Sequence, residues 1–305
     1  MPVGEILAAA FLVRVILRGL VVGLLVSLCS AALGVSLVLK RYSMIGDGLS
    51  HVGFFGLALA SAAGVGSLYS MEISVPVVIL SAVLILRISR GNGRLNGDAA
   101  CAVVSTGAVA VGTLLYNITG GRSGDICSSL FGSSSIFTIS GKDMILSLLL
   151  SAAVLVWFAL SFKTIFAVTF DETFAHAAGV RTNLYGLTLS VLTGMTIVVG
   201  MKMMGSIMIS ALLIFPPLTA MRVTGNFRRT VLLSAGISAL SFTVGYLVTC
   251  AVSLSERFPP IQTGAAVVAV NLFAFCAVYG IAWIVGKAKQ KKAGGHERED
   301  AASLK

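Results

Sequence analysis

Charged residues are scarce in this sequence: Asp, Glu, Lys and Arg together make up 11% of its 305 residues. A soluble globular domain is about a quarter charged, so this scarcity excludes an ordinary soluble fold. Hydrophobic residues account for 57% of the chain and fall in runs of about 20, the length that a helix needs to cross the membrane. Because lipid cannot satisfy backbone polar groups, these runs predict membrane-spanning α-helices. A transmembrane barrel would instead show alternating segments of about 10 residues.

Motifs for catalysis and for nucleotide binding are also missing. The five cysteines have no C-x-x-C spacing, which argues against a disulfide framework and against a cysteine metal site. The sequence has no G-x-x-x-x-G-K-[ST] and no H-E-x-x-H, which excludes ATP binding through a P-loop and argues against an intramembrane zincin. We therefore predict that the chain is not an enzyme and that any ATP-driven step requires a partner.

The apolar runs predict an all-α polytopic membrane protein with about nine transmembrane helices, eight being possible. Residues 1–286 then form a single transmembrane domain. The polar composition of residues 287–305 predicts a disordered cytoplasmic tail. The nine candidate spans are 15–39, 47–66, 73–88, 98–116, 144–166, 184–203, 205–222, 230–253 and 263–286.

The formal net charge of +10 raises the possibility of nucleic-acid binding, but the basic residues occur in short loops between apolar runs. They are better interpreted as topology signals. With nine spans and a cytoplasmic C-terminus, 16 of the 22 Lys and Arg residues fall on the cytoplasmic side and six fall outside. This bias places the N-terminus outside, whereas an eight-span arrangement would place it inside.

Two connections are too long to be simple turns. The outer one, residues 117–142, is rich in Gly and Ser, and its segment 128–137 is apolar enough to re-enter the membrane as a half-helix. The inner one, residues 169–183, predicts a short amphipathic helix. Thr169 or Asp171 can cap its start and Gly179 can end it. Phe170, Phe174 and Ala178, spaced by four, would share one face.

Asp47 and His51 are the most informative polar residues of the chain. They are separated by four residues, so they face the same side of a helix. A carboxylate and an imidazole are two ligands that a divalent transition-metal cation accepts. Ionisable groups at membrane depth often mark a transport path. The alternative is that Asp47 caps the helix that begins here and that His51 hydrogen-bonds to a neighbouring helix.

Five segments, in order, resemble the permease subunit of bacterial ABC importers for zinc, manganese and iron. The first contains Gly-Asp-Gly-Leu-Ser-His, and the fourth ends in a double proline, where the family usually has a single one and for which the sequence offers no explanation. The segments are Lys40–His51, Asn96–Ala100, Asp171–Val180, Met204–Pro217 and Pro259–Gly264.

The resemblance implies a homodimer in the bacterial inner membrane with the transport path between the subunits. Asp47 and His51 would be transient ligands of the divalent cation in that path. The chain itself would bind no cofactor. Its partners would be a cytoplasmic ABC ATPase dimer, which uses the ATP, and an extracytoplasmic metal-binding protein. The resemblance assigns the coupling to the ATPase to Asp171, Glu172, Phe174, Ala175 and Gly179.

Two other functions are alternatives for a membrane protein of this composition. An ion-coupled secondary transporter would show inverted-topology repeats and several intramembrane acids, neither of which is clear in the sequence. An ABC permease for a metal chelate, such as a siderophore or cobalamin, would have a wide path without a paired carboxylate and imidazole. The sequence does not distinguish zinc, manganese and iron, because Asp and His bind all three.

Overall fold

The computed structural model describes residues 3–40, 42, 44–64, 70–90, 97–120, 141–253, 255 and 261–303. The described residues that belong to regular structure are helical. In chain order the helices are α1 Val3–Leu39, α2 Ile45–Ala62, α3 Ser70–Arg90, α4 Gly97–Ile118, α5 Gly141–Leu160, α6 Phe162–Phe170, α7 Glu172–Ala177, α8 Thr182–Met204, α9 Ser206–Val223, α10 Phe227–Ser253 and α11 Thr263–Ser303.

The predicted all-α fold is confirmed for the described residues, but the count of nine spans is not. Among the described residues, six helices are long and apolar enough to cross a membrane, namely α1, α4, α8, α9, α10 and α11. A seventh span is obtained if α5 and α6 count as one. The predicted spans 47–66 and 73–88 do form helices α2 and α3, which are not among the six. Asp47, His51 and four glycines lower the hydropathy of α2.

Helices α1, α2 and α9 form the interior of the protein. Helix α1 packs against α5, α8, α9 and α10, whereas α2 packs against α3, α4, α8 and α9. Helices α4 and α11 lie at the periphery. In the apolar 18-residue stretch of each helix, only 22% of the residues are buried in α4 and 11% in α11. Large apolar side chains project outward from both, for example Leu114 on α4 and Phe273 on α11. Such faces are suited to lipid or to another chain.

The predicted span 144–166 is broken in the structure. Helices α5 and α6 meet at Ser161 with a bend of 70°. If α5 runs along the membrane normal, α6 therefore lies close to the plane of the membrane. Phe227, in the first turn of α10, holds α6 in place through ring contacts with Phe162, Phe166 and Phe170 at centroid distances of 5.2–6.0 Å.

Helices α8 and α9 are separated only by Gly205, which has φ +91° and ψ 153°. Only glycine adopts this backbone conformation readily, because a Cβ would clash with the backbone. The separate spans 184–203 and 205–222 predicted from the sequence thus correspond to two helices joined at a single residue.

The second proline of α9 accompanies a close helix contact. Pro217 has no N–H with which to bond the carbonyl of Leu213 four residues earlier. That carbonyl oxygen lies against Gly34 of α1, so closely that a Cβ on Gly34 would overlap it. Pro217 therefore leaves the Leu213 carbonyl without its usual bond within the helix, at a place where α1 and α9 approach closely.

The sequence also predicts a half-helix at 128–137 and a disordered tail at 287–305. The re-entrant half-helix at 128–137 lies outside the described residues. Helix α11 continues to Ser303, through most of the segment for which the sequence predicts disorder, and the Ala, Lys, Gln and Glu residues there have high helix propensity. The division into a transmembrane domain, 1–286, and a polar tail remains a prediction.

Candidate functional site

Helix α2 carries the candidate site and is enclosed by four other helices, which its glycines allow to approach. A Cβ on Gly53 would lie 2.9 Å from the Met201 methyl group of α8, and one on Gly56 would lie 2.7 Å from the Ser74 Cα of α3. From a further helix, Ser210 of α9 donates a hydrogen bond to the Ser50 hydroxyl at 3.4 Å. Helix α2 is therefore held on several sides at once, which fixes the direction of its polar side chains.

Asp47 and His51 lie side by side on one face of α2, as the sequence predicts. The Oδ1 atom of Asp47 and the Nε2 atom of His51 are 3.5 Å apart. Two ligand atoms, each about 2.1 Å from one tetrahedral ion, would be about 3.4 Å apart. The separation of the two side chains is thus compatible with adjacent positions in one coordination shell.

The two side chains differ in their access to solvent. Asp47 is 45% exposed and His51 is 22% exposed. The other imidazole nitrogen of His51, Nδ1, is buried and has no hydrogen-bond partner among the described residues. Water or a group outside the described structure is needed to satisfy this atom, because an unpaired buried polar group is costly.

The interpretation of Asp47 as the N-cap of α2 is wrong. Helix α2 begins at Ile45 and its N-cap residue is Met44, without a side-chain cap hydrogen bond. The Met44 N–H instead donates to Oδ1 of Asp98 in α4, at 3.2 Å. Asp47 lies in the first turn, where it interacts favourably with the helix dipole. Asp98 lies in the segment Asn96–Ala100, which the sequence predicts to start a helix, but its contact with Met44 was not predicted.

Asp47 and His51 do not form a closed metal site within one chain. No group of three or more His, Cys, Asp or Glu side chains that could hold a metal ion is found among the described residues. Structural metal sites have about four protein ligands. A pair is better suited to a cation that binds briefly and leaves, since conduction requires weak sites.

Helix α7 forms the centre of the predicted coupling segment, Asp171–Val180. Asp171 is its N-cap and accepts hydrogen bonds from the Phe174 N–H at 2.8 Å and the Thr173 hydroxyl at 2.6 Å. These two bonds, the Phe174 bond most strongly, lower the pKa of the Asp171 carboxyl. Gly179, with φ +84°, follows the helix, and the Val180 N–H donates to the Ala175 carbonyl. This is the Schellman arrangement that ends helices.

The predicted helix over 169–183 is shorter than expected and its predicted apolar face is wrong. Asp171 is extended, with φ −146° and ψ 97°, so Phe170 belongs to α6 and packs on Phe227. Ala178 is the C-cap of α7. Phe174 remains 67% exposed, whereas Ala175 is buried against the protein.

Comparison with known proteins places this sequence in a family. The profile of the ABC 3 transport family matches residues 12–281, which is most of the chain. The chain belongs to this family. As a member of the ABC 3 transport family it is a multi-pass membrane permease subunit and not an enzyme, and ATP is hydrolysed by a separate subunit.

Relatives in the family include transporters for different metals. The manganese import system permease protein ScaB of Streptococcus gordonii is 26% identical over 84% of this chain and 90% of its own length. The high-affinity zinc uptake system membrane protein ZnuB of Buchnera aphidicola is 27% identical over 76% of this chain and 87% of its own length.

A solved structure also resembles the chain. It is PsaBC from Streptococcus pneumoniae in complex with Fab, with a TM-score of 0.72 and 26% sequence identity. The similarity covers 86% of this chain and 90% of the other. The fold of this chain is thus that of a permease in this family.

Proposed function

We propose that this chain is the membrane permease of an ABC importer that carries a divalent transition-metal cation, zinc, manganese or iron, into the cell across the bacterial inner membrane. The observation that carries the proposal is the pair formed by Asp47 and His51, with Oδ1 and Nε2 separated by 3.5 Å on a helix enclosed by four others. Similarity to a manganese permease over 84% of the chain and to a zinc permease over 76% of it supports the same cargo class.

The pair acts as a transient ligand set in a path between two copies of the chain. One copy supplies two ligands, and a second copy supplies another Asp47 and His51, so that a homodimer offers the four that such a cation accepts. Water completes the shell when only one pair is engaged. His51 binds as neutral imidazole and Asp47 as carboxylate, and both are hard or borderline donors suited to these metals.

The energy for transport comes from ATP on a cytoplasmic ATPase dimer. The segment formed by Asp171, Glu172, Phe174, Ala175 and Gly179 docks on that dimer, with Phe174 as the apolar contact, and an extracytoplasmic binding protein delivers the cation to the opposite face. ATP binding favours one of two helix arrangements, and its hydrolysis favours the other, so that access alternates.

Substitution of the pair tests the proposal. We expect Asp47→Ala and His51→Ala each to reduce uptake of the transported metal at least tenfold, because each removes one ligand from a site that has few. The measurement is uptake of zinc, manganese and iron, each added alone, by proteoliposomes that contain the permease and its ATPase.

The control is Asp98→Asn, which removes a carboxylate charge at the same end of the bundle but keeps an oxygen that can accept the hydrogen bond from the Met44 N–H. It should retain uptake if it folds. Unchanged uptake of all three metals by a folded Asp47→Ala, His51→Ala double variant would contradict the proposal.

A further inference from the structure

The corner that joins α1 to α2 contacts the coupling helix α7 through an ion pair. The Nζ atom of Lys40, one residue after α1, lies 3.7 Å from Oε2 of Glu172, the first residue of α7. The Lys40 side chain is only 12% exposed, whereas that of Glu172 is 45% exposed. The cation is therefore sheltered within the bundle, and its partner belongs to the helix that faces the ATPase in the proposed function.

The corner lies beside a pocket that both members of the ion pair line. Lys40, Tyr42, Ile45 and Glu172 are among its lining residues. Beside such a gap apolar packing transmits movement less well, because a gap of about 0.5–1 Å already forfeits a quarter to a half of the dispersion attraction. A charge pair retains its attraction over a longer distance.

The corner is firmly attached to the start of α2. The Tyr42 N–H donates to the Leu37 carbonyl at 3.0 Å, and the Ile45 N–H donates to the Tyr42 carbonyl at 3.2 Å. Backbone hydrogen bonds thus run from the last turn of α1 to the first residue of α2. Gly97 of α4 lies flat on the Tyr42 ring, where a Cβ would overlap the ring. A displacement of Lys40 is therefore passed to the first turn of α2, which contains Asp47.

We propose that the Lys40–Glu172 ion pair is the contact through which movement of α7 reaches the first turn of α2 and so shifts Asp47 relative to its surroundings. Lys40 and Glu172 are positioning residues: neither touches the cation. This inference rests on the proposed function, because it requires that α7 follow the ATPase. Because Glu172 is 45% exposed, the pair should add little to stability, and the melting temperature of each variant in detergent checks that it still folds.

Charge reversal in the assembled complex of permease and ATPase tests the inference. We expect Lys40→Glu and Glu172→Lys each to lower the maximal rate of metal uptake at least fivefold, with the KM for the metal unchanged within twofold. Co-purification with the ATPase and basal ATP hydrolysis should stay within twofold of the wild type. The double reversal, Lys40→Glu with Glu172→Lys, should recover at least half of the uptake, and Lys40→Arg should transport normally.

The matched control is Lys163→Glu, which makes the same charge change at an exposed lysine of α6 that forms no ion pair among the described residues. It should transport as the wild type does. Single reversals that behave like this control would overturn the inference. Loss of co-purification would also overturn it, since the pair would then act in assembly of the complex. A double reversal as inactive as the single ones would overturn it too, since the two residues would then not act as a pair.

A second measurement separates failure of this inference from failure of the proposed function. Met44, at the N-cap of α2, is 48% exposed. In a background with Cys127 and Cys276 changed to serine, the rate at which a soluble maleimide labels Met44→Cys should change at least threefold on addition of ATP. Lys40→Glu should abolish that change. If the wild type transports no divalent metal but shows this response to ATP, only the proposed cargo is contradicted. If the response persists in Lys40→Glu, only the proposed role of the ion pair in coupling is contradicted.

Discussion

Gly205 illustrates how a single residue determines the path of the chain. It separates α8 from α9 with φ +91° and ψ 153°, in a region of backbone space that is almost exclusive to glycine. Neither the alternation of apolar residues nor helix propensity identifies this conformation. The sequence does show that a break is permitted here, because glycine stands between two membrane-length runs.

We expect Gly205→Ala to lower the free energy of unfolding by about 1–3 kcal/mol, because alanine is strained in that conformation. Thermal unfolding in detergent is the measurement. The control is Gly236→Ala in α10, where a Cβ meets nothing within 4 Å and where alanine favours the helix. Equal melting temperatures of the two variants would show that Gly205 is not strained.

Gly34 of α1 allows a close approach to α9. We expect Gly34→Ala to destabilise the protein by about 1–3 kcal/mol, because the new methyl group overlaps the Leu213 carbonyl oxygen and overpacking costs this much. Gly107→Ala, in an open position of α4, is the matched variant and should be neutral or stabilising. A Gly34 variant as stable as the Gly107 variant would argue against the tight contact of α1 with α9.

Among the elements, α7 is defined almost entirely by its ends. It has six residues, too few to be stable alone. Its start is fixed by the Asp171 carboxylate and its end by Gly179. The sequence offered Thr169 or Asp171 for the start and Gly179 for the end, because capping depends on residues a few positions apart. The sequence placed Phe170 on this helix rather than on α6, because the contact of Phe170 with Phe227 joins distant parts of the chain.

The cap should make α7 sensitive to acid. The folded-state pKa of Asp171 is lowered by the hydrogen bonds from Phe174 and Thr173. The stabilisation is thus fully present above the unfolded-state pKa of about 3.9 and is lost as the pH falls through the lowered folded-state value. Hydrogen exchange of the Phe174 amide should lose protection in that range. Asp171→Asn, which can still cap but does not titrate there, should show no such pH dependence.

At the scale of the whole molecule, peripheral helices α4 and α11 present broad apolar faces, and α7 presents the exposed ring of Phe174. The faces of α4 and α11 are suited to lipid or to a second copy of the chain, and the Phe174 ring is suited to an apolar cleft in a partner. In the proposed function, the permease therefore has separate surfaces for the membrane and for the ATPase.

We expect Phe174→Asp to abolish co-purification with the ATPase, because a charge replaces the exposed ring on the docking helix. Phe174→Leu, which keeps an apolar side chain, should retain co-purification. The measurement is affinity purification of the complex from detergent, with the melting temperature of the permease as a check of its fold. Undiminished recovery of the ATPase with Phe174→Asp would remove Phe174 from the docking surface.

The sequence alone determined the features that depend on near neighbours or on composition. Scarce charge and long apolar runs indicated helices in a membrane, and the spacing of four placed Asp47 beside His51. The tertiary structure decided what depends on residues far apart: the enclosure of α2, the capping of its start by Asp98, the 70° bend at Ser161 and the contact of Lys40 with Glu172. Hydrophobic patterns report which residues avoid water, but they do not report which helices meet.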